Sequence, residues 1–243
     1  MTNSIPDAGT EPQSPSLVWH DGDMPYSTGF GDHFYCQTDG RLECSHVFLA
    51  GNGLPARWQQ PGDFRIGELG FGTGLNAAET WRQWKSARQP GDQLHFMSFE
   101  LHPMQGHDID RALSRWPEID AERQGLLALW PKTPQGIVSL QLDDQTRLTV
   151  VCGHALAGVH AADAGFDAWF LDGFAPSRNA DMWSAEILQA VHDKTAVGGS
   201  FATYAAAGFV RRNLMAAGFK VERRPGFAGK REMLCGTKAP SGA

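Results

Sequence analysis

From Phe64 onward, short apolar runs alternate with longer stretches of mixed apolar and polar residues. The apolar runs predict strands over 64–69, 94–100, 148–152, 168–172 and 199–204. The mixed stretches predict helices over 75–88, 103–116, 121–129, 180–192 and 208–217. Strands that alternate with helices imply a mostly parallel sheet with both faces covered. The end of the chain differs, because 220–225 and 233–237 flank a glycine-containing turn and predict an antiparallel finishing pair. Ahead of the first parallel strand, 32–36 and 42–49 are joined by Thr38-Asp39-Gly40, and Asp-Gly between two such runs signals a β-hairpin. The fold class expected is therefore α/β: one domain over 63–238 with a mostly parallel sheet and an antiparallel last strand, preceded by a hairpin extension over 17–62. Residues 1–16, rich in Ser, Thr, Pro, Asp and Gln, predict a disordered tail, and 239–243 a second short tail.

The junction after the first parallel strand carries the chemistry. Gly67-Glu68-Leu69-Gly70-Phe71-Gly72-Thr73-Gly74-Leu75-Asn76 runs from a strand into a helix, with glycines where the backbone must turn tightly and approach a ligand. The dinucleotide fingerprint requires a further glycine where Leu75 stands, and the Gly-Lys-Ser/Thr of a P-loop is absent. Glu68 opposes phosphate and suits a ligand with positive charge; S-adenosylmethionine, with its amino group and sulfonium, is one. A plain strand-to-helix turn accommodates the same residues. Glu100, one crossover helix further on, ends the next strand where an acid grips ribose hydroxyls.

Asp172 closes the strand Asp167-Ala168-Trp169-Phe170-Leu171, and the loop Gly173-Phe174-Ala175-Pro176 follows it. A carboxylate at that strand end faces the same crevice and can orient a methyl acceptor, with Phe174 and Pro176 as walls. The alternative is an N-cap arrangement around a buried aromatic, with Asn179 or Asp181 capping the next helix.

Composition narrows the setting. The 243 residues are 42% hydrophobic and 20% charged, which suits a globular chain with a full core. No apolar run is long enough to span a membrane, no secretory signal is visible, and the 4 cysteines form no C-x-x-C pair, so a reducing cytoplasm is expected. His33, Cys36, Cys44 and His46 match no usual zinc spacing, and no metal is expected. The net charge of −6 argues against a nucleic-acid partner. Its distribution argues otherwise, because Arg211, Arg212, Lys220, Arg223, Arg224, Lys230, Arg231 and Lys238 crowd the C-terminal region. An ordinary solvated face explains the same composition.

The strings Ala207-Gly208-Phe209-Val210-Arg211-Arg212 and Gly229-Lys230-Arg231-Glu232-Met233-Leu234-Cys235-Gly236, with the glycine turn and the stretch 169–182, resemble the tRNA (5-methylaminomethyl-2-thiouridine) methyltransferases. The resemblance extends over about Trp19 to Lys238 and includes the block around Glu43, Val47, Phe48, Leu49, Gly51 and Asn52. It implies a Rossmann-like class I fold, S-adenosyl-L-methionine as methyl donor, and N-methylation of 5-aminomethyluridine at the tRNA wobble position. The expected donor site is Glu68, Gly70, Phe71, Gly72, Thr73, Gly74, Asn76, Glu100, His154 and Asp172, with Asp172 also catalytic. Relatives usually place an acid where His154 stands, which puts the adenine contact in question.

The acceptor side is expected to combine Phe30, Tyr35 and Phe174 around the base with Arg211, Arg212, Lys230 and Arg231 on the anticodon stem-loop backbone. In bifunctional relatives an FAD-dependent oxidoreductase half supplies the aminomethyl group, and no such half is expected in a chain that stops at Ala243. A methyltransferase for a small-molecule or protein amine, or a catalytically silent cofactor- or RNA-binding module, would share the donor site without the same use of the basic end.

Overall fold

The structure, a computed structural model, describes residues 17–240. The tail expected over 1–16 and the last residues of the C-terminal tail lie outside the described residues. Three short strands, β1 (Leu17–His20), β2 (Met24–Ser27) and β3 (Asp32–His33), form a small antiparallel sheet. After helix α1 (Gly40–Glu43) and irregular helical turns to Gln59, the main domain begins. Its strands are β4 (Phe64–Leu69), β5 (Leu94–Glu100), β6 (Ile137–Asp143), β7 (Thr146–Cys152), β8 (Phe166–Leu171), β9 (Thr195–Thr203), β10 (Phe219–Arg224) and β11 (Met233–Lys238). Its helices are α2 (Leu75–Ala87), α3 (Gly106–Leu113), α4 (Asp120–Leu129), α5 (Ala155–Ala161), α6 (Ala185–Lys194) and α7 (Gly208–Ala216).

The eight main strands lie in the order β10-β11-β9-β8-β4-β5-β7-β6. β9, β8, β4, β5 and β7 are parallel neighbours, and the finishing pair β10–β11 is antiparallel, as expected. The opposite edge was not expected: β6 returns antiparallel along β7. β4 and β8 are buried almost throughout because helices cover both faces. One apolar layer gathers Phe48, Trp58, Ile66, Phe96 and Phe170 under α2, α3 and α4. The other gathers Leu69, Phe99, Trp169, Leu171 and Phe201 under α5, α6 and α7. Gly67 lets the Trp169 indole lie across β4, since a Cβ there would stand 2.6 Å from its ring. The chain leaves β4 toward β5 and β7, then crosses back to β8. The carboxyl ends of β4 and β8 therefore flank a switch point, the place where open α/β sheets bind ligands.

The hairpin expected over 32–49 is not formed. Asp39 is instead an N-cap: its carboxylate accepts the Leu42 amide at 3.0 Å and the Trp116 indole N–H at 3.0 Å. Cys44, Val47 and Phe48 then fall three and four apart on one buried face, a helical spacing that outweighs the strand reading. The extension's real sheet lies earlier, in β1–β3. The helical segment runs on to Asn52, which is 3% exposed. Its amide donates to the Phe48 and Trp169 carbonyls and accepts the Ser200 hydroxyl at 2.6 Å. Asn52→Ala should lower stability by about 1–3 kcal/mol, read in a urea titration, because the Ser200 hydroxyl and these carbonyls lose partners that water cannot replace.

The helix expected over 180–192 is broken. Ala180–Trp183 forms a single tight turn, and Ser184 caps α6 by accepting the Ile187 amide. Neither Asn179 nor Asp181 supplies that cap.

Candidate active site

A cavity of about 970 Å³ opens at the carboxyl ends of the parallel strands. Gly70, Phe71, Gly72, Thr73 and Asn76 line it from the β4–α2 junction, Glu100 from the end of β5, His154 from the end of β7, and Asp172 from just after β8. The strand-end rule thus gathers residues from four separate stretches of sequence. Gly70 has φ 83°, and a Cβ there would meet the Gly173 backbone at 3.4 Å, so the two loops touch through glycines.

Glu100 is fixed before any ligand arrives. One carboxylate oxygen accepts the Gly72 amide at 2.9 Å and the other the His102 amide at 2.7 Å. Each oxygen retains a lone pair for a ligand hydroxyl. His154 is exposed at the N-terminal end of α5, and its side chain makes no capping bond.

Glu68 and Gly74, both expected at the donor, do not line the cavity. Glu68 points from β4 into the interior and is fully buried. Burial pushes its carboxyl well above the usual range, so it does not supply the exposed negative charge expected of it. Its effect passes through Asn76, whose amide donates to Glu68 at 2.9 Å and to Asp172 at 2.7 Å. Gly74 is tucked against the Phe71 ring, which stacks flat on Trp130 at 5.2 Å.

Asp172 accepts Asn76 on one oxygen and the Gly173 amide at 2.8 Å on the other. Burial, reinforced by the negative charge of Glu43, raises its pKa to about 7 despite these bonds and the nearby Lys230. A carboxyl with that pKa changes charge near neutrality and can take up a proton there.

Aromatic rings border the acid. Phe174 stacks on Phe30 at 4.5 Å with Phe34 edge-on at 5.1 Å. Asp32 of β3 holds this loop by accepting the Ala175 amide at 2.9 Å, so the small sheet positions the aromatic wall. Tyr35 also lines the cavity; its hydroxyl donates to the Ala112 carbonyl, and burial pushes it up to about 12.

The basic residues separate. Arg211 and Arg212 lie on α7 and Arg231 on the exposed β10–β11 connection, all off the cavity wall. Lys230 alone among these four faces inward, with its ammonium 2.7 Å from Glu43 and 4.5 Å from the Tyr204 ring centre. Sequence reasoning gave no role to Glu43 or Tyr204. Tyr204 follows β9 directly, so the strand-end rule that found Asp172 would have found it too.

The family model for S-adenosyl-L-methionine-dependent methyltransferases matches residues 117–239, just over half of the chain. This chain belongs to that family. Similar relatives include the tRNA 5-methylaminomethyl-2-thiouridine biosynthesis bifunctional protein MnmC of Caulobacter vibrioides, 43% identical over 225 residues, 92% of this chain and 38% of the relative. The protein of the same name from Azoarcus sp. is 43% identical over 222 residues, 91% of this chain and 35% of the relative. The methyltransferase chain thus spans little more than a third of the length of these curated relatives. In fold it is similar to MNMC2 from Aquifex aeolicus, with a TM-score of 0.74 at 20% identity, covering 95% of this chain and 73% of that one.

S-adenosyl-L-methionine supplies a methyl group on a sulfonium sulfur. The cavity suits it: glycine backbone at Gly70 and Gly72 leaves room for close approach, and the fixed Glu100 carboxylate can take ribose hydroxyls. Among the described residues no helix is long and apolar enough to cross a membrane.

Proposed function

We propose that this methyltransferase methylates the primary amine of 5-aminomethyluridine, with or without the 2-thio group, at the wobble position of tRNA. The observation that carries the reading is the placement of Asp172, with its pKa raised to about 7, beside the Phe30–Phe174 wall in the donor cavity. The names of the relatives support the substrate. A flat base suits an aromatic wall, and unpaired loop bases are bound by stacking and edge contacts.

The amine must shed a proton before its lone pair can attack carbon. A free alkylammonium has a pKa of about 10, so handing its proton to a carboxyl at about 7 costs roughly 4 kcal/mol. Burial of the ammonium lowers its own pKa and narrows that gap. An ordinary exposed aspartate, near 3.9, would face about twice the deficit. Asp172 therefore takes the ammonium proton ahead of attack and, by hydrogen bonding to the neutral amine that results, orients its lone pair. Gly173 and Asn76 hold the carboxylate plane while this happens.

Outside the cavity, Arg211, Arg212 and Arg231 are the backbone contacts for the anticodon stem-loop in this reading. An FAD-dependent oxidoreductase, as a separate protein or another part of the same polypeptide, would supply the aminomethyl group, and the bifunctional naming of the relatives supports that link. Such an enzyme works in the cytoplasm, where its tRNA is.

The test is incubation with labelled S-adenosyl-L-methionine and tRNA bearing 5-aminomethyluridine, followed by digestion to nucleosides. Label in 5-methylaminomethyluridine is expected; a bound donor with no labelled nucleoside would overturn the reading. The single-turnover rate should rise as pH passes upward through about 7, because Asp172 accepts a proton only when ionised. A rate flat across that interval at saturating donor would remove Asp172 from proton transfer.

A further inference from the structure

The Glu43–Lys230 pair joins two distant parts of the chain inside the acceptor end of the cavity. Glu43 ends α1, and Lys230 sits on the connection between β10 and β11. Both line the cavity together with Asp172 and Tyr204. The Lys230 ammonium lies 2.7 Å from a Glu43 oxygen and over the Tyr204 ring, whose hydroxyl donates to the Gly173 carbonyl beside Asp172. Carboxylate and aromatic face together make a cage for a cation.

The two partners are not equally free to leave. The Glu43 side chain is 10% exposed, whereas that of Lys230 is 42% exposed. Lys230 can withdraw to solvent, whereas Glu43 cannot follow and would be left buried without a counter-charge. A buried carboxylate in that state demands another cation. Among the described residues, Lys230 is the one lysine or arginine on the cavity wall, against Asp32, Glu43, Glu100, Asp172, Asp181 and Glu186. The Lys230 head group is a primary ammonium on a methylene, the same chemistry as a protonated aminomethyl group.

We propose that Glu43 is the carboxylate that selects the acceptor's ammonium, and that Lys230 occupies this place in the free protein until the acceptor displaces it. The assignment rests on the aminomethyl substrate proposed above. Capture and activation then fall to different acids: Glu43 draws the cation in, and Asp172 takes its proton. An uncharged isostere such as a hydroxymethyl group cannot replace Lys230 without stranding Glu43, so the cage separates amine from alcohol.

The experiment uses the free nucleoside 5-aminomethyluridine as acceptor, because it has no phosphates for Lys230 to contact, in mildly alkaline buffer with saturating S-adenosyl-L-methionine. Lys230→Met should lower the nucleoside KM by about tenfold if the lysine fills the cage nine-tenths of the time. Lys230→Arg, which keeps a cation, should stay near the native value. Glu43→Gln should raise KM about tenfold or more with a smaller change in kcat, and should weaken inhibition by alkylammonium ions but not by 5-hydroxymethyluridine. S-adenosylhomocysteine titration reports whether each variant retains the donor site, and if Glu43→Gln fails to fold, the Lys230→Met and Lys230→Arg contrast decides. A raised KM in Lys230→Met, or one unchanged there or in folded Glu43→Gln, would overturn the proposal. If the native protein itself methylates neither this nucleoside nor tRNA carrying it, the substrate assignment falls first.

Discussion

Asp172→Asn should reduce single-turnover methyl transfer by about 10²–10⁴-fold at saturating donor and acceptor, the range a lost general base produces. The amide also meets a hydrogen-bonding conflict. Asp172 accepts from Asn76 on one oxygen and from Gly173 on the other, and an asparagine can accept at only one of those two positions. Stability offers an independent check of the raised pKa. Because the folded carboxyl titrates at about 7 and the unfolded one near 3.9, the folded state binds the extra proton between those values. Stability from this group therefore falls as pH rises through that window, by at most about 4 kcal/mol. Thermal melts across the window should show the fall in the native protein and its absence in Asp172→Asn. Unchanged methylation by the variant, with donor bound, would sink the assignment.

Glu100→Ala is expected to act on binding. Its carboxylate holds the Gly72 and His102 amides, each a bond to a charged acceptor worth about 1.5–3 kcal/mol. Losing the anchor of the glycine turn together with a ribose contact should weaken donor binding by about 100-fold or more. Calorimetric titration with S-adenosylhomocysteine reads this directly. Saturating donor should restore much of the rate in Glu100→Ala and none of it in Asp172→Asn. An affinity within a few-fold of native would show that Glu100 does not grip the donor.

The shared cavity was legible because one rule governs it: in an open parallel sheet, polar residues at strand carboxyl ends share a crevice. Gly70, Glu100, His154 and Asp172 all obey that rule, and the structure brings them to one cavity. Glu68 misled because its charge, read alone, says nothing of which side of β4 it faces. Its neighbours put it inside. Asp39-Gly40 misled for another reason, since the same dipeptide serves a hairpin turn and a helix start. Only the buried spacing of Cys44, Val47 and Phe48 separates the two.

β6 was missed because the outward-facing Ser139 and Gln141 interrupt its apolar run, leaving Val138 and Leu140 as its buried residues at the sheet edge. α5 went unseen too, as a short stretch between a strand and the next that carries few charged residues. Glu43 could not be placed at all from local pattern, because its partner Lys230 is set by tertiary contact alone.

β11 follows β10 in the chain yet lies between β10 and β9 in the sheet. The sheet cannot close stepwise as the chain emerges, because β9 and β10 have no direct pairing and wait for a strand that comes last. Lys230 is carried on the approach to that strand, so the cation cage is assembled only when the final insertion is made. A chain still being synthesised, or one nicked before Met233, would then hold the glycine turn and Glu100 without a finished acceptor end. Competence to select the amine thus reports that this sheet is complete.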